Sequence, residues 1–172
     1  LQSMFTEKTR LLALNQVSNS LGTVNPLEVI IPLAHAAGVP VLVDAAQSVQ
    51  HLTARDVQAL DADFYAFSGH KMYAPMGIGV LYAKESWLEK LPPYQFGGEM
   101  IDQVSSTRVT FTQLPHKFEA GTPNVEGAVG LGAAVDYLNQ FDPLELQAYE
   151  EDLLAYGSEQ LRAIPGLTLY GN

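Results

Sequence analysis

Apolar residues fall along this chain in short, nearly unbroken blocks separated by turn-forming residues. Leu11-Leu12-Ala13-Leu14 leads into Asn15-Gln16-Val17-Ser18-Asn19, and the block 39–43 runs into Asp44. Neither alternates with a period of two, which is the pattern of strands buried on both faces, as in parallel sheets. Between them Asn25-Pro26 opens a helix, because proline suits the first helical turn, and Leu27, Ile30, Ile31 and Ala34 recur at helical spacing until Gly38. The predicted unit is β-α-β. A third strand over 63–67 ends at Ser68-Gly69, and a fourth over 77–83 is reached through Ala74-Pro75. Strands alternating with helices predict an α/β fold. Residues 91–122 carry Pro92-Pro93, Gly97-Gly98 and Pro115 with little periodicity and read as a long excursion, often functional or subunit-contacting. Pro123 then opens a helix to about Phe141, Asp142-Pro143 opens another to near Ile164, and Leu167-Thr168-Leu169-Tyr170 reads as a further strand. Internal repeats are not visible.

Composition narrows the partners. The 172 residues are 47% hydrophobic with a net charge of −10, and mean hydropathy is +0.04. That suits one globular domain, and with no run of Lys or Arg it leaves no footing for counterion-driven nucleic-acid binding. The apolar blocks are much shorter than the roughly 20 residues that cross a bilayer. The start Leu1-Gln2-Ser3-Met4 has neither a basic region nor a long apolar one, so a cytoplasmic setting is expected. Both ends look like cut points in a longer chain. Cysteine is absent, which removes any disulfide framework and any thiol chemistry from these residues.

Candidate chemistry sits where the strands end. Ligands of open α/β sheets gather at the carboxyl ends of strands, which is where Asp44 and Ser68 are expected. Asp44 follows five apolar residues, so its carboxylate is costly to desolvate unless it meets a cation. A protonated pyridine nitrogen is such a cation. Gln47 lies one turn on and can donate to a ring oxygen, and Lys71 offers an amine for a Schiff base and then a general base. Ser68 and His70 can hold a phosphate. A carboxylate, an amide and a lysine in this order are what pyridoxal phosphate needs. Singly, each has a plainer reading: Asp44 as the cap of a helix starting at Ala45, Lys71 as a solvated neighbour of His70. Their joint order favours the cofactor. His35 and His51 read as structural, and His116-Lys117 as surface or interface. There is no Cys or His cluster for zinc, and Gly77-Ile78-Gly79 is too short for a nucleotide fingerprint.

Four stretches, Val43-Asp44-Ala45-Ala46-Gln47, Asp63-Phe64-Tyr65-Ala66-Phe67-Ser68-Gly69-His70-Lys71, Gly77-Ile78-Gly79-Val80-Leu81-Tyr82 and Phe118-Glu119-Ala120-Gly121-Thr122-Pro123-Asn124, resemble the class V aminotransferase superfamily. The nearest resemblance is to its Suf/Csd-type, or group II, cysteine desulfurases. The resemblance implies a fold type I, pyridoxal-phosphate-dependent transferase domain: three layers around a mixed, mostly parallel sheet, here partial over 1–141. Residues 142–172 would be a helix and strand leading into a small domain that is absent. It implies a cytoplasmic homodimer that converts L-cysteine to L-alanine and passes sulfur, as persulfide, to an acceptor protein, for iron-sulfur cluster assembly or other sulfur traffic. Residue by residue, it implies Lys71 as the Schiff-base lysine and Asp44 and Gln47 as partners of the ring nitrogen and phenolate oxygen. Ser68 and His70 are then phosphate ligands, Asn19 approaches the substrate carboxylate, and Thr122 reaches the phosphate of the neighbouring subunit. Gln16 stands where many relatives carry His, Ala74 replaces a usual Gly, and Met76 a usual Thr.

The resemblance also implies missing parts: an upstream histidine that stacks on the cofactor, and a downstream cysteine and carboxylate-binding arginine. The isolated chain is therefore expected to be an inactive central fragment with an open sheet edge. Other readings are a selenocysteine lyase, a kynureninase-like enzyme, or a truncated, non-catalytic interaction module.

Overall fold

Residues 1–52 and 56–171 are described by a computed structural model of the chain. The first apolar block forms β1 (Leu12–Asn15), the helix opened by Asn25-Pro26 is α1 (Leu27–Ala36), and the second block forms β2 (Val41–Asp44). β1 and β2 are parallel with Asn15 opposite Asp44, so α1 is the crossover of a β-α-β unit. Leu27, Ile31 and Ala34 of α1 are 1% exposed or less and pack with Val41, Val43 and Tyr65 in the main core. Each large apolar side chain buried there contributes about 1.5–3 kcal/mol. Gly38, at φ +70°, ends the helix, since a left-handed residue without Cβ carries the chain into the next strand at little cost.

β3 (Phe64–Ser68) runs parallel to β2, with Asp44 opposite Ala66, and β4 (Gly79–Ala83) runs antiparallel to β3. Among the described residues the sheet order is β1-β2-β3-β4, a mixed, mostly parallel sheet in an α/β chain. Strict strand-helix alternation does not hold. Only a 3-10 turn (Gly69–Met72) and a short loop join β3 to β4. A parallel return needs a crossover of about a dozen residues or more, so this chain reverses instead.

The strand at the sheet's margin departs from its reading as buried on both faces. β1 is half-exposed, with Ala13 open to solvent, because nothing among the described residues pairs with its outer edge. The excursion 91–122 is less irregular than its sequence, holding an antiparallel pair, β5 (Ile101–Val104) and β6 (Val109–Phe111), preceded by a short helix, α2 (Glu85–Lys90). Met100, fully buried, anchors this pair. The last helices are α3 (Val125–Leu138), with Asn124 accepting from the Gly127 N–H as its cap, and α4 (Pro143–Arg162), capped by Asp142. The expected strand at 167–170 is not formed; those residues are exposed and without a ladder partner, since no sheet edge lies against them. None of the helices over the described residues is long and apolar enough to cross a membrane.

Candidate active site

Three parallel strands end side by side at Asn15, Asp44 and Ser68, and the candidate residues follow from those ends. Asp44 closes β2 and is exposed, not buried as the apolar residues before it suggest. It is the last residue of its strand, and its carboxylate keeps access to solvent. The chain after it makes turns rather than a helix: Asp44 Oδ1 accepts from the Ala46 N–H at 2.9 Å, an Asx turn that aims the next residues back over the strand ends. The capping reading of Asp44 thus holds in a reduced form, and it occupies one oxygen of the two.

Gln47 sits in that turn, half-buried, and its Nε2 donates to Asn19 Oδ1 at 2.8 Å. This bond joins two of the residues singled out in the sequence. It also orients Asn19, because an amide whose oxygen is engaged presents its own N–H groups elsewhere. Asn19 itself belongs to a tight loop after β1, pinned by the Ser18 N–H to Thr23 O bond and by Gly22, which donates to Ser18 O.

Ser68 ends β3, and His70 and Lys71 ride on the 3-10 turn that follows. The turn is held tightly: the Gly69 N–H donates to Ile78 O at 2.9 Å, and a Cβ at position 69 would lie 2.7 Å from Ile78 Cγ2. Gly79 is pressed on the other side, where a Cβ would be 2.9 Å from Phe67 O. Only glycine allows this close approach of β4 to the end of β3. His70 is exposed, Lys71 half-buried, and Tyr73 ends the turn with φ +69°. Thr122 is exposed in the loop before α3 and makes no hydrogen bond to the other six residues. Neighbouring Asn124 ties that loop to the strand entry by donating from Nδ2 to Gly77 O at 3.1 Å.

The set contains one carboxylate with a free oxygen, one amide donor, one amine, a hydroxyl and an imidazole, all at one margin of the sheet. That donor set fits a ring with a basic nitrogen, an aldehyde and a phosphate: the carboxylate suits the protonated nitrogen, the amine the aldehyde, and the hydroxyl and imidazole the phosphate.

Residues that sequence reasoning passed over lie just below. Gln16, noted there only as a departure from relatives, is 3% exposed; its Oε1 accepts from Ser48 Oγ at 2.6 Å and from the Tyr65 hydroxyl at 3.1 Å. Ser48 and Tyr65 lie 32 and 49 residues from Gln16 along the chain, so no local pattern in the sequence records this pairing. Of the histidines read as structural, His35 places Nε2 2.7 Å from Asp63 Oδ2, and His51 places Nδ1 2.7 Å from Glu150 Oε1 on α4. Lys117, read as surface or interface, donates to the carbonyls of Leu88 and Glu89 at 2.8 and 3.2 Å and so satisfies the end of α2.

The profile of the family described as aminotransferase class-V matches residues 1–172. A cysteine desulfurase of Shigella sonnei is 55% identical over 172 residues, and one of Escherichia coli K12 is 54% identical; both alignments cover 99% of this chain and 42% of the relative. The chain thus spans about two fifths of the length of the curated relatives it matches. Among solved structures, the cysteine desulfurase CsdA of Escherichia coli superposes with a TM-score of 0.91 at 45% identity, over 95% of this chain and 41% of that one. A cystine C-S lyase, C-DES, in complex with its product cysteine persulfide, superposes with a TM-score of 0.72 at 30% identity, over 82% of this chain and 38% of that one.

Proposed function

The chain belongs to the aminotransferase class-V family, with the fold type I architecture of its structural neighbours, and from that premise we propose that it is the central part of a pyridoxal-phosphate-dependent cysteine desulfurase. The observation that carries the reading is the convergence of Asp44, Gln47 and Lys71 on adjacent strand ends in a chain 55% identical to a cysteine desulfurase. The desulfurase reading is favoured over the lyase one because the curated relatives at 54–55% identity are desulfurases, whereas the C-S lyase is 30% identical.

When bound, pyridoxal phosphate supplies an electron-withdrawing ring that stabilises negative charge at the substrate Cα. Asp44 would hold the protonated ring nitrogen with the carboxylate oxygen not engaged by Ala46, and Gln47 Nε2 would donate to the ring's hydroxyl oxygen. Ser68 Oγ and the His70 ring would hold the phosphate. Lys71 Nζ would anchor the cofactor and serve as the base for the substrate Cα proton. Asn19, oriented by Gln47, donates to the substrate carboxylate. Thr122 serves the phosphate of the neighbouring subunit in a homodimer.

In the overall reaction a protein thiol takes the substrate's sulfur as the outer atom of a persulfide, while L-cysteine leaves as L-alanine. No residue of this chain is a cysteine, so the accepting thiol lies in another segment of the parent protein. Residues 1–141 form part of its large domain and 142–172 lead toward a smaller one. The persulfide goes on to an acceptor protein in the cytoplasm, for iron-sulfur cluster assembly or related sulfur traffic.

The test is to add pyridoxal phosphate to the purified chain and to Lys71→Ala and compare their visible absorbance. A band that requires Lys71 is expected. The same band in both proteins would mean that Lys71 is not the anchor and would overturn the assignment.

A further inference from the structure

Below the candidate site, one buried oxygen links the end of β1, the turn after β2 and Tyr65 within β3. Gln16 follows β1 directly, and its backbone N–H donates to Asp44 O at 2.9 Å, extending the β1–β2 ladder past its last register pair. Its side-chain Oε1 accepts from Ser48, four residues beyond Asp44 in the Gln47 turn, and from Tyr65 on β3. Gln16, Ser48 and Tyr65 are 3%, 0% and 2% exposed. Ser48 Oγ also lies 3.2 Å from Ala45 O, and the Ser48 and Val49 N–H groups both donate to that carbonyl, so fixing Ser48 fixes the turn.

We propose that Gln16 is a positioning residue for the cofactor contacts: its single buried acceptor sets the Asp44–Gln47 turn against the strand that leads to Ser68 and Lys71. The inference rests on the functional reading given above. Its physical basis is that both buried hydroxyls share the Gln16 oxygen as acceptor, and without it Ser48 keeps only the longer contact to Ala45 O, so the turn and β3 are held to the geometry in which both hydroxyls reach Gln16. The solvent-facing bonds of the site, Asp44 to Ala46 and Gln47 to Asn19, compete with water and cannot fix that geometry alone.

Gln16→Met and Gln16→Glu separate positioning from mere support. Both keep the length of the side chain and both lower stability, but only glutamate retains an oxygen that accepts from the two hydroxyls. Amide hydrogen exchange on the cofactor-free chain is expected to quicken roughly tenfold at Ser48, Val49 and Leu52 in Gln16→Met, and much less in Gln16→Glu. Pyridoxal phosphate titration is expected to show roughly tenfold weaker binding and a shifted lysine-dependent band in Gln16→Met, with both effects largely reversed in Gln16→Glu. Should Gln16→Met not fold, Tyr65→Phe removes one of the two donors and carries the same test with a smaller change.

Exchange that quickens evenly through α1 and the strands in both variants would overturn the proposal, because that is general destabilisation. A turn loosened selectively with cofactor affinity and spectrum unchanged would overturn it too. Absence of a lysine-dependent band in the unaltered chain counts against the functional reading instead, and the exchange comparison still decides whether Gln16 sets the turn.

Discussion

At the scale of single residues, the far end of the sheet from the candidate site is held by Asp63. Its side chain is 8% exposed and accepts from His35 Nε2 and the Val41 N–H at Oδ2 and from the Trp87 indole at Oδ1, with Lys84 Nζ 3.4 Å away. Burial pushes its pKa up, but the bonds from His35, Val41 and Trp87 and the Lys84 charge outweigh that and hold it below the ordinary value. Lys84 is drawn the other way: burial lowers it, while the bond to Asp61 and the charges of Asp63 and Asp61 leave it above its usual value. The unfolded chain therefore takes up a proton at Asp63 at higher pH than the folded one. This contribution to stability is complete above about pH 4 and is lost as pH falls below it. In Asp63→Asn, either amide orientation turns an NH2 group against donors, and the expected cost is about 2–3 kcal/mol in urea unfolding. The acid dependence of the remaining stability should flatten; an unchanged acid limb would remove Asp63 from the account.

At the scale of elements, α3 bears on the lysine turn through one glycine. A Cβ at Gly130 would lie 2.5 Å from Cγ and 2.7 Å from Cδ of Pro75, in the loop just after the Lys71 turn, whereas a Cβ at Gly132 meets nothing within 4 Å. Gly132→Ala is expected to stabilise by about 0.5–1 kcal/mol through helix propensity. Gly130→Ala is expected to cost about 1–3 kcal/mol by overpacking and to weaken cofactor uptake, because the loop it displaces continues the turn that carries Lys71. Thermal denaturation of the pair, together with the absorbance titration, checks both signs. The helix was legible from Pro123 and its run of small residues, as were α1 from its apolar spacing and α4 from Asp142-Pro143. The hairpin β5–β6 was not, because its exposed residues show no two-residue alternation and its register shifts between Ile101 and Gln103.

At the scale of the whole molecule, the apolar surface is uneven. α4 has no buried residue, and Leu144, Tyr149, Leu153, Leu154, Tyr156 and Leu161 are each at least 42% exposed. Leu81 of β4 is 60% exposed, and Met76 and Tyr94 are 85% and 93% exposed. The curated relatives are more than twice this length and so have further chain to cover such faces. We expect the isolated chain to self-associate, with a sedimentation profile that depends on concentration. We also expect alanine formation from L-cysteine no greater than in Lys71→Ala. Production clearly above that control would show that these residues suffice for the reaction without a cysteine.

Local pattern in the sequence is enough for the α/β class, the β-α-β unit and the order of Asp44, Gln47 and Lys71, whose residue types are those proposed to meet pyridoxal phosphate. Each of these depends on local pattern: apolar blocks, proline and glycine positions, and residue types at strand ends. Tertiary structure alone decided that β4 turns back antiparallel, that β1 lies open, and that Asp44 is exposed rather than buried. It also decided that Gln16 meets the turn after β2 and Tyr65 of β3, since its partners Ser48 and Tyr65 are 32 and 49 residues away along the chain. Pairings at such separations come from how strands stack side by side, and no periodicity in the sequence records them.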